Sequence, residues 1–178
     1  MTEMICAGFG GQGVLTLGMI LATAGAKGGK NVTWIPSYGS EMRGGAANCN
    51  LKISEGEIAS PYVRKIDILV ALNEDSIMEF GKNVKKGGCI LVNSSIVENI
   101  PEFEDVTVIQ IPANDIAMKL HHPKGMSLAL VGAVIAYSNV VSLDAAKEAL
   151  VEYFAGKHAN DELNFAVLME GYKYLKEM

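Results

Sequence analysis

A chain of 178 residues and 19.0 kDa matches one α/β domain, read here as a single domain over 1–178, and is long enough to bury a sizeable core. With 49% apolar and 20% charged residues it is not a disordered polymer. Fifteen basic against twenty acidic side chains, with no run of Lys or Arg, argue against nucleic acid as a partner.

The mean hydropathy of +0.22 raises membrane insertion as a question. Two stretches lack formal charge, Met4 to Ala26 and Gly125 to Leu143. Glycines at 8, 10, 11, 13, 18 and 25 break the first, and Ser127, Ser138, Asn139 and Ser142 interrupt the second, so no membrane span is expected. Cys6, Cys49 and Cys89 are far apart and form no CxxC pair, so neither a zinc site nor an iron–sulfur cluster is encoded in that pattern. Reduced, buried thiols in a cytoplasmic protein are the expectation.

In chain order, Met4 to Gly8 reads as a buried strand running into glycines. Val14 to Lys27 then reads as a helix with small residues for close packing, stopped by Gly28 and Gly29. Asn31 to Ile35 is a second strand, closed by Pro36. Residues 47 to 54 alternate, with Ala47, Cys49, Leu51 and Ile53 against Asn48, Asn50, Lys52 and Ser54, which predicts a half-buried strand at a sheet edge. Ile66 to Leu72 follows as a core strand, and Asn73 caps a helix with Glu74 and Asp75 in its first turn. Cys89 to Val92 and Val106 to Ile111 are further strands. Helices are expected at Asn114 to Leu120, Ser127 to Ser138, Leu143 to Ala155 and Asp161 to Lys176, with Ser142 and Asn160 as caps of the last two. The order predicts a Rossmann-like, doubly wound α/β fold. Its sheet is mostly parallel, with helices on both faces and an antiparallel excursion near residues 47–60.

Gly8-Phe9-Gly10-Gly11-Gln12-Gly13 fits the G-x-G-x-x-G dinucleotide fingerprint and lies between a predicted strand and helix. The acidic residue that should follow at the end of the second strand to hold a ribose is missing, since Trp34, Ile35 and Pro36 stand there. A second constellation, Pro36 to Gly45, gathers Tyr38, Glu41 and Arg43 among Gly39, Gly44 and Gly45. If the second strand runs parallel to the first, both loops lie at the carboxyl edge of the sheet, where open α/β folds place ligands. Asn73, Asn93-Ser94-Ser95 and Asn114 would face the same edge. His121-His122 reads as a turn before Pro123 rather than a metal site, and no nucleophile–base arrangement stands out. The candidate ligand- or interface-binding residues are therefore Gly8, Gly10, Gly11, Gln12, Gly13, Tyr38, Glu41, Arg43, Gly44 and Gly45, with no catalytic or metal-ligating residue.

The same motifs, together with Ile58-Ala59-Ser60-Pro61, Ile111-Pro112-Ala113-Asn114-Asp115-Ile116-Ala117, Leu130-Val131-Gly132-Ala133, Asn164-Phe165-Ala166 and Gly171, resemble the gamma subunit of the 2-oxoacid:ferredoxin oxidoreductases. The style is closest to the 2-oxoglutarate and branched-chain 2-oxoacid types. One departure is Ser127, where many relatives carry Asn, and His121-His122-Pro123-Lys124 before it is atypical. The resemblance implies a non-catalytic subunit in a cytoplasmic hetero-oligomer that oxidatively decarboxylates a 2-oxoacid to acyl-CoA and reduces ferredoxin. Thiamine diphosphate and iron–sulfur clusters are then expected in partner subunits and no cofactor in this chain; the expected partners are alpha and beta subunits, with a delta subunit as a further candidate. Coenzyme A is a candidate ligand at a site this chain helps to shape. Two alternatives from the residues stay open: a stand-alone nucleotide-dependent oxidoreductase and a small-molecule-binding regulatory module.

Overall fold

Strand-forming apolar runs separated by glycine turns and capped helices build a six-stranded mixed sheet in the computed structural model, which describes residues 1–39, 44–157 and 160–178. Strands β1 (Thr2–Phe9), β2 (Asn31–Tyr38), β3 (Ala46–Ser54), β4 (Ile66–Ala71), β5 (Val84–Asn93) and β6 (Thr107–Ile111) lie in the order β2-β3-β1-β4-β5-β6. Strands β1, β4, β5 and β6 are parallel, whereas β3 is antiparallel to both β1 and β2. The helices are α1 (Val14–Lys27), α2 (Glu74–Phe80), α3 (Ala113–Lys119), α4 (Met126–Ser138), α5 (Leu143–Phe154) and α6 (Asp161–Lys176).

The period-two pattern sorts the core into two layers. Met4, Cys6, Cys49, Leu51, Val70 and Leu91 face one side, packed under α1, α3, α4, α5 and α6. Ile5, Ala7, Leu69, Ala71, Ile90 and Val92 face the other, where α2 supplies Ile77 and the segment after β5 supplies Val97. Helices thus lie on both faces, but among the described residues the second face carries only α2.

Two strand expectations need correction. β3 is an interior strand, not an edge. Its alternation arises because one face packs on α1 while the other carries polar groups with their own partners. On that second face Asn50 Oδ1 accepts the Val63 N–H at 3.0 Å, and Lys52 pairs with Glu3 at 3.2 Å with both side chains nearly buried. The edge strand on this side is β2, which continues through Pro36 to Tyr38 instead of stopping at Ile35. The ladder explains the tolerance. Leu72 N–H donates to the Ala7 carbonyl, so odd residues of β1 bond towards β4 and Cys6 faces Cys49 across β3. Carried one strand further, this alternation turns the backbone of Val32, Trp34, Pro36 and Tyr38 away from the sheet, and a proline there removes no sheet bond.

Local signals place the helix ends. Gly28 and Gly29 close α1 in a Schellman motif: Gly29 N–H reaches the Ala26 carbonyl, Lys30 N–H the Gly25 carbonyl, and Gly29 has φ +76°. The side chains of Asn73, Ser142 and Asn160 accept the backbone N–H groups of Ser76, Ala145 and Leu163. The uncharged stretch from Gly125 is accounted for by α4, buried from Met126 to Ala136 between the sheet and α6. Gly132 and Gly171 let these two helices touch backbone to backbone. Among the described residues no helix is long and apolar enough to cross a membrane. The three cysteines are free and buried, and burial pushes the Cys89 thiol up to about 12 despite the Tyr137 hydroxyl beside it.

Candidate functional site

β1 runs out at Phe9 and α1 begins at Val14, and the four residues between form a bend with glycine at both of its left-handed positions. Gly11 has φ +99° and Gly13, the N-cap of α1, has φ +79°. A Cβ on Gly13 would fall 2.7 Å from Ser127 Oγ, so this glycine also lets α4 approach α1. Inside the bend the Gln12 side chain turns back, and its Oε1 accepts the Phe9 N–H at 2.7 Å. Gln12 N–H in turn donates to the Phe9 carbonyl at 3.1 Å.

The second predicted loop meets the first. β2 runs in the same direction as β1 although β3 lies between them, so both loops stand at the carboxyl edge. Gly10 N–H donates to the Gly45 carbonyl at 2.8 Å, and Gly44 N–H donates to the Gly10 carbonyl at 3.2 Å. These bonds extend the β1–β3 pairing beyond the strands. Tyr38, 58% exposed, stands at the end of β2 over a cleft of about 410 Å³. Phe9, Gly10, Gly11, Gly13, Val14, Leu15, Thr16 and Ala47 complete its walls. No charged side chain is among these described lining residues, and α1 opens here with no side-chain cap and no acid in its first turn. Glu41 and Arg43 lie outside the described residues.

Gly8, Gly10, Gly11, Gln12, Gly13, Tyr38, Gly44 and Gly45 are thus brought together. Asn93 and Asn114 form a neighbouring cluster at the ends of β5 and β6. Asn93 is fully buried, donates to Asn114 Oδ1 at 2.8 Å and accepts the Ala113 N–H at 3.2 Å, fixing the start of α3. Asn73 serves as the cap of α2. His121, with φ +54°, and His122 do form a turn before Pro123, and His122 Nε2 hydrogen-bonds Asn164 Oδ1 at 2.8 Å, tying the turn to α6. Sequence reasoning missed the approach of Ser127 to Gly13 and the 2.8 Å bond between Thr16 Oγ1 and the Tyr153 hydroxyl. Neither carries a local signal, because the partners are more than a hundred residues apart.

The ribose position of a dinucleotide domain is absent in place as well as in residue type. In that fold the strand after the first helix lies next to β1, whereas here β3 separates them.

Fold and edge together define a doubly wound α/β domain with an antiparallel insertion, whose glycine loop is joined to the insertion loop. The chain belongs to the pyruvate ferredoxin/flavodoxin oxidoreductase family, whose model matches residues 3–174. It is 37% identical over 175 residues to the ketoisovalerate oxidoreductase subunit VorA of Methanothermobacter thermautotrophicus, covering 96% of this chain and 36% of that one. It is 33% identical over 180 residues to the 2-oxoglutarate synthase subunit KorC of Methanocaldococcus jannaschii, covering 99% and 95%. The crystal structure of the keto/oxoacid ferredoxin oxidoreductase gamma subunit from Geobacter sulfurreducens superposes with a TM-score of 0.83 at 28% identity, covering 100% of both chains. The chain spans about a third of the length of the VorA relatives (36% and 34%) and nearly all of KorC (95%).

Proposed function

We propose that the chain, as one gamma-type domain, serves as a subunit of a cytoplasmic 2-oxoacid:ferredoxin oxidoreductase. The complex oxidatively decarboxylates a 2-oxoacid to acyl-CoA and reduces ferredoxin. Thiamine diphosphate and the iron–sulfur clusters reside in partner subunits, the partners being alpha and beta subunits with a delta subunit in some assemblies. This chain contributes assembly and the shape of the coenzyme A site. The observation that carries the reading is the junction at Gly10, where the glycine loop is hydrogen-bonded to Gly44 and Gly45. The junction makes one continuous rim from two motifs, and that rim is the surface offered to partners. Tyr38, Glu41 and Arg43 belong to the same proposal: the guanidinium of Arg43 suits a planar carboxylate or phosphate acceptor.

The test is reconstitution. The isolated chain is assayed for 2-oxoacid-dependent viologen reduction with coenzyme A and thiamine diphosphate, then again with co-expressed partner subunits. Activity is expected only in the complex, and Arg43→Ala should weaken assembly or raise the apparent KM for coenzyme A. Turnover by the chain alone, or failure to associate with partner subunits, would overturn the reading.

A further inference from the structure

The two faces of the sheet are covered unequally. Five helices close the first, whereas among the described residues the second has the seven-residue α2 and the segment that follows β5. α2 turns Ile77 onto the sheet and leaves Met78 68% exposed. Phe80, Ile100 and Phe103, which cover the same layer, stay half-buried.

Between α2 and residues 98–101 runs a groove of about 450 Å³, lined by Met78, Ile100 and Pro101 together with Glu74, Glu98 and Asn99. The segment that forms its far wall is pinned twice. Glu74 Oε1 accepts the Glu98 and Asn99 N–H groups at 3.2 and 2.9 Å, bonds that hold its carboxyl below the usual range. The Phe103 ring lies against Gly81, where a Cβ would fall 2.7 Å from it. The groove is therefore preformed, which lowers the ordering cost of binding.

Its charge is of one sign. Residues 74–105 hold seven acidic side chains against three lysines, most of the net charge of −5. Two of those lysines are taken, Lys85 by Asp67 at 2.8 Å and Lys86 by Asp105 at 3.1 Å. Glu79 adjoins Met78 and Glu102 adjoins Pro101, and both carboxylates are exposed, as is Glu98. These acids do not converge on a cation: among the described residues no three acids, histidines or cysteines are grouped to hold a metal. They flank an apolar centre instead, the core-and-rim arrangement of protein interfaces. Like charge opposes a second copy seated face to face, and it opposes lipid or nucleic-acid phosphate in the same way.

We infer that α2 and the segment after β5 form a docking groove for a protein partner that inserts an apolar side chain beside Met78 and surrounds it with lysine or arginine. This rests on the proposed complex, the partner being one of its other subunits. α2 leaves the sheet at the carboxyl end of β4, the strand next to β1, so the groove starts at the same edge as the glycine rim.

The co-expressed complex is compared with the isolated chain by labelling carboxylates with a water-soluble carbodiimide and an amine, read by peptide mass spectrometry. Glu79, Glu98 and Glu102 should be labelled at least about fivefold less in the complex. Met78→Ser should weaken association with the partner subunits roughly tenfold. Wild-type affinity should fall severalfold between about 0.1 and 0.5 M NaCl, and the triple variant Glu79→Lys, Glu98→Lys, Glu102→Lys should bind weakly and lose that salt dependence. All four side chains are exposed, so Tm should not move. Equal labelling in complex and isolated chain, or an affinity that both variants leave unchanged, would overturn the inference and leave the proposed function standing. Failure of the wild-type chain to join the partner subunits would overturn both. A dimer of the isolated chain that Met78→Ser dissolves would assign the groove to a second copy and overturn the inference as well. Should a variant fail to fold, the wild-type labelling decides.

Discussion

Replacing Gly132 by Ala probes the crossing of α4 and α6 where the two backbones are closest. A Cβ at Gly132 would fall within the van der Waals envelope of the Leu168 carbonyl oxygen and 2.7 Å from the Tyr172 nitrogen. A Cβ at Gly171 would sit 2.6 Å from the carbonyl carbon of Ala129. Backbone atoms cannot swing aside like a side-chain tip, so the helix axes must part by on the order of 1 Å to restore ordinary contact. Overpacking of this kind costs about 3 kcal/mol, and the gain in helix propensity from Gly to Ala returns about 1 kcal/mol. The net loss of about 2 kcal/mol corresponds to a fall in Tm of roughly 4–8 °C for a domain of this size. Thermal unfolding followed by circular dichroism, with urea titration as a second measure, gives the number. Gly171→Ala should behave alike, and the double variant should lose less than the sum of the two, because one displacement relieves both clashes. A rise in Tm for Gly132→Ala, as at a solvent-exposed helical glycine, would refute the close crossing.

Two further outcomes follow from buried polar groups. Removing the amide in Asn93→Ala leaves the buried Ala113 N–H without its acceptor and should cost about 1–3 kcal/mol, read from urea midpoints; an unchanged midpoint would show that the Asn93–Asn114 pair does not secure α3. Burial raises the Cys89 thiol to about 12 from an unfolded value near 9, so above pH 9 the unfolded chain gives up a proton that the folded chain keeps. That contribution to stability is intact below pH 9 and fades as pH climbs towards 12, and Cys89→Ala should flatten the alkaline decline in Tm; a decline as steep as in the wild type would assign it to other groups.

Local chemistry made much of the fold readable. The glycine pair after Lys27 and the Asn or Ser caps before α2, α5 and α6 act within four residues, and each was found where the sequence placed it. The strand order was less accessible, because alternation reports which face is buried and not which strand lies alongside. β3 alternates because α1 covers one of its faces, and nothing in residues 46–54 distinguishes that from an edge. β5 begins at Val84, well before the apolar run at Cys89, since its first residues are held by pairing with β4 at Ile66. At the site, the two glycine motifs were visible as motifs, but their junction at Gly10 depends on a fold that returns residue 45 to residue 10. The bond from the Phe9 N–H to Gln12 Oε1 was hidden for another reason: the fingerprint pattern treats the Gln12 position as arbitrary.

The proline in β2 bears on how copies of the chain can grow together. An eight-residue edge strand without a single charge is an open template for sheet extension, and lysine, the common deterrent, is missing from Asn31–Tyr38. A strand laid against it would find outward donors at Val32, Trp34 and Tyr38 but a gap at Pro36, where the ring also crowds the incoming backbone. The ladder is interrupted near its middle, too early for a second sheet to zip along the first. Sheet extension along the β2 edge is thereby discouraged by one imino acid.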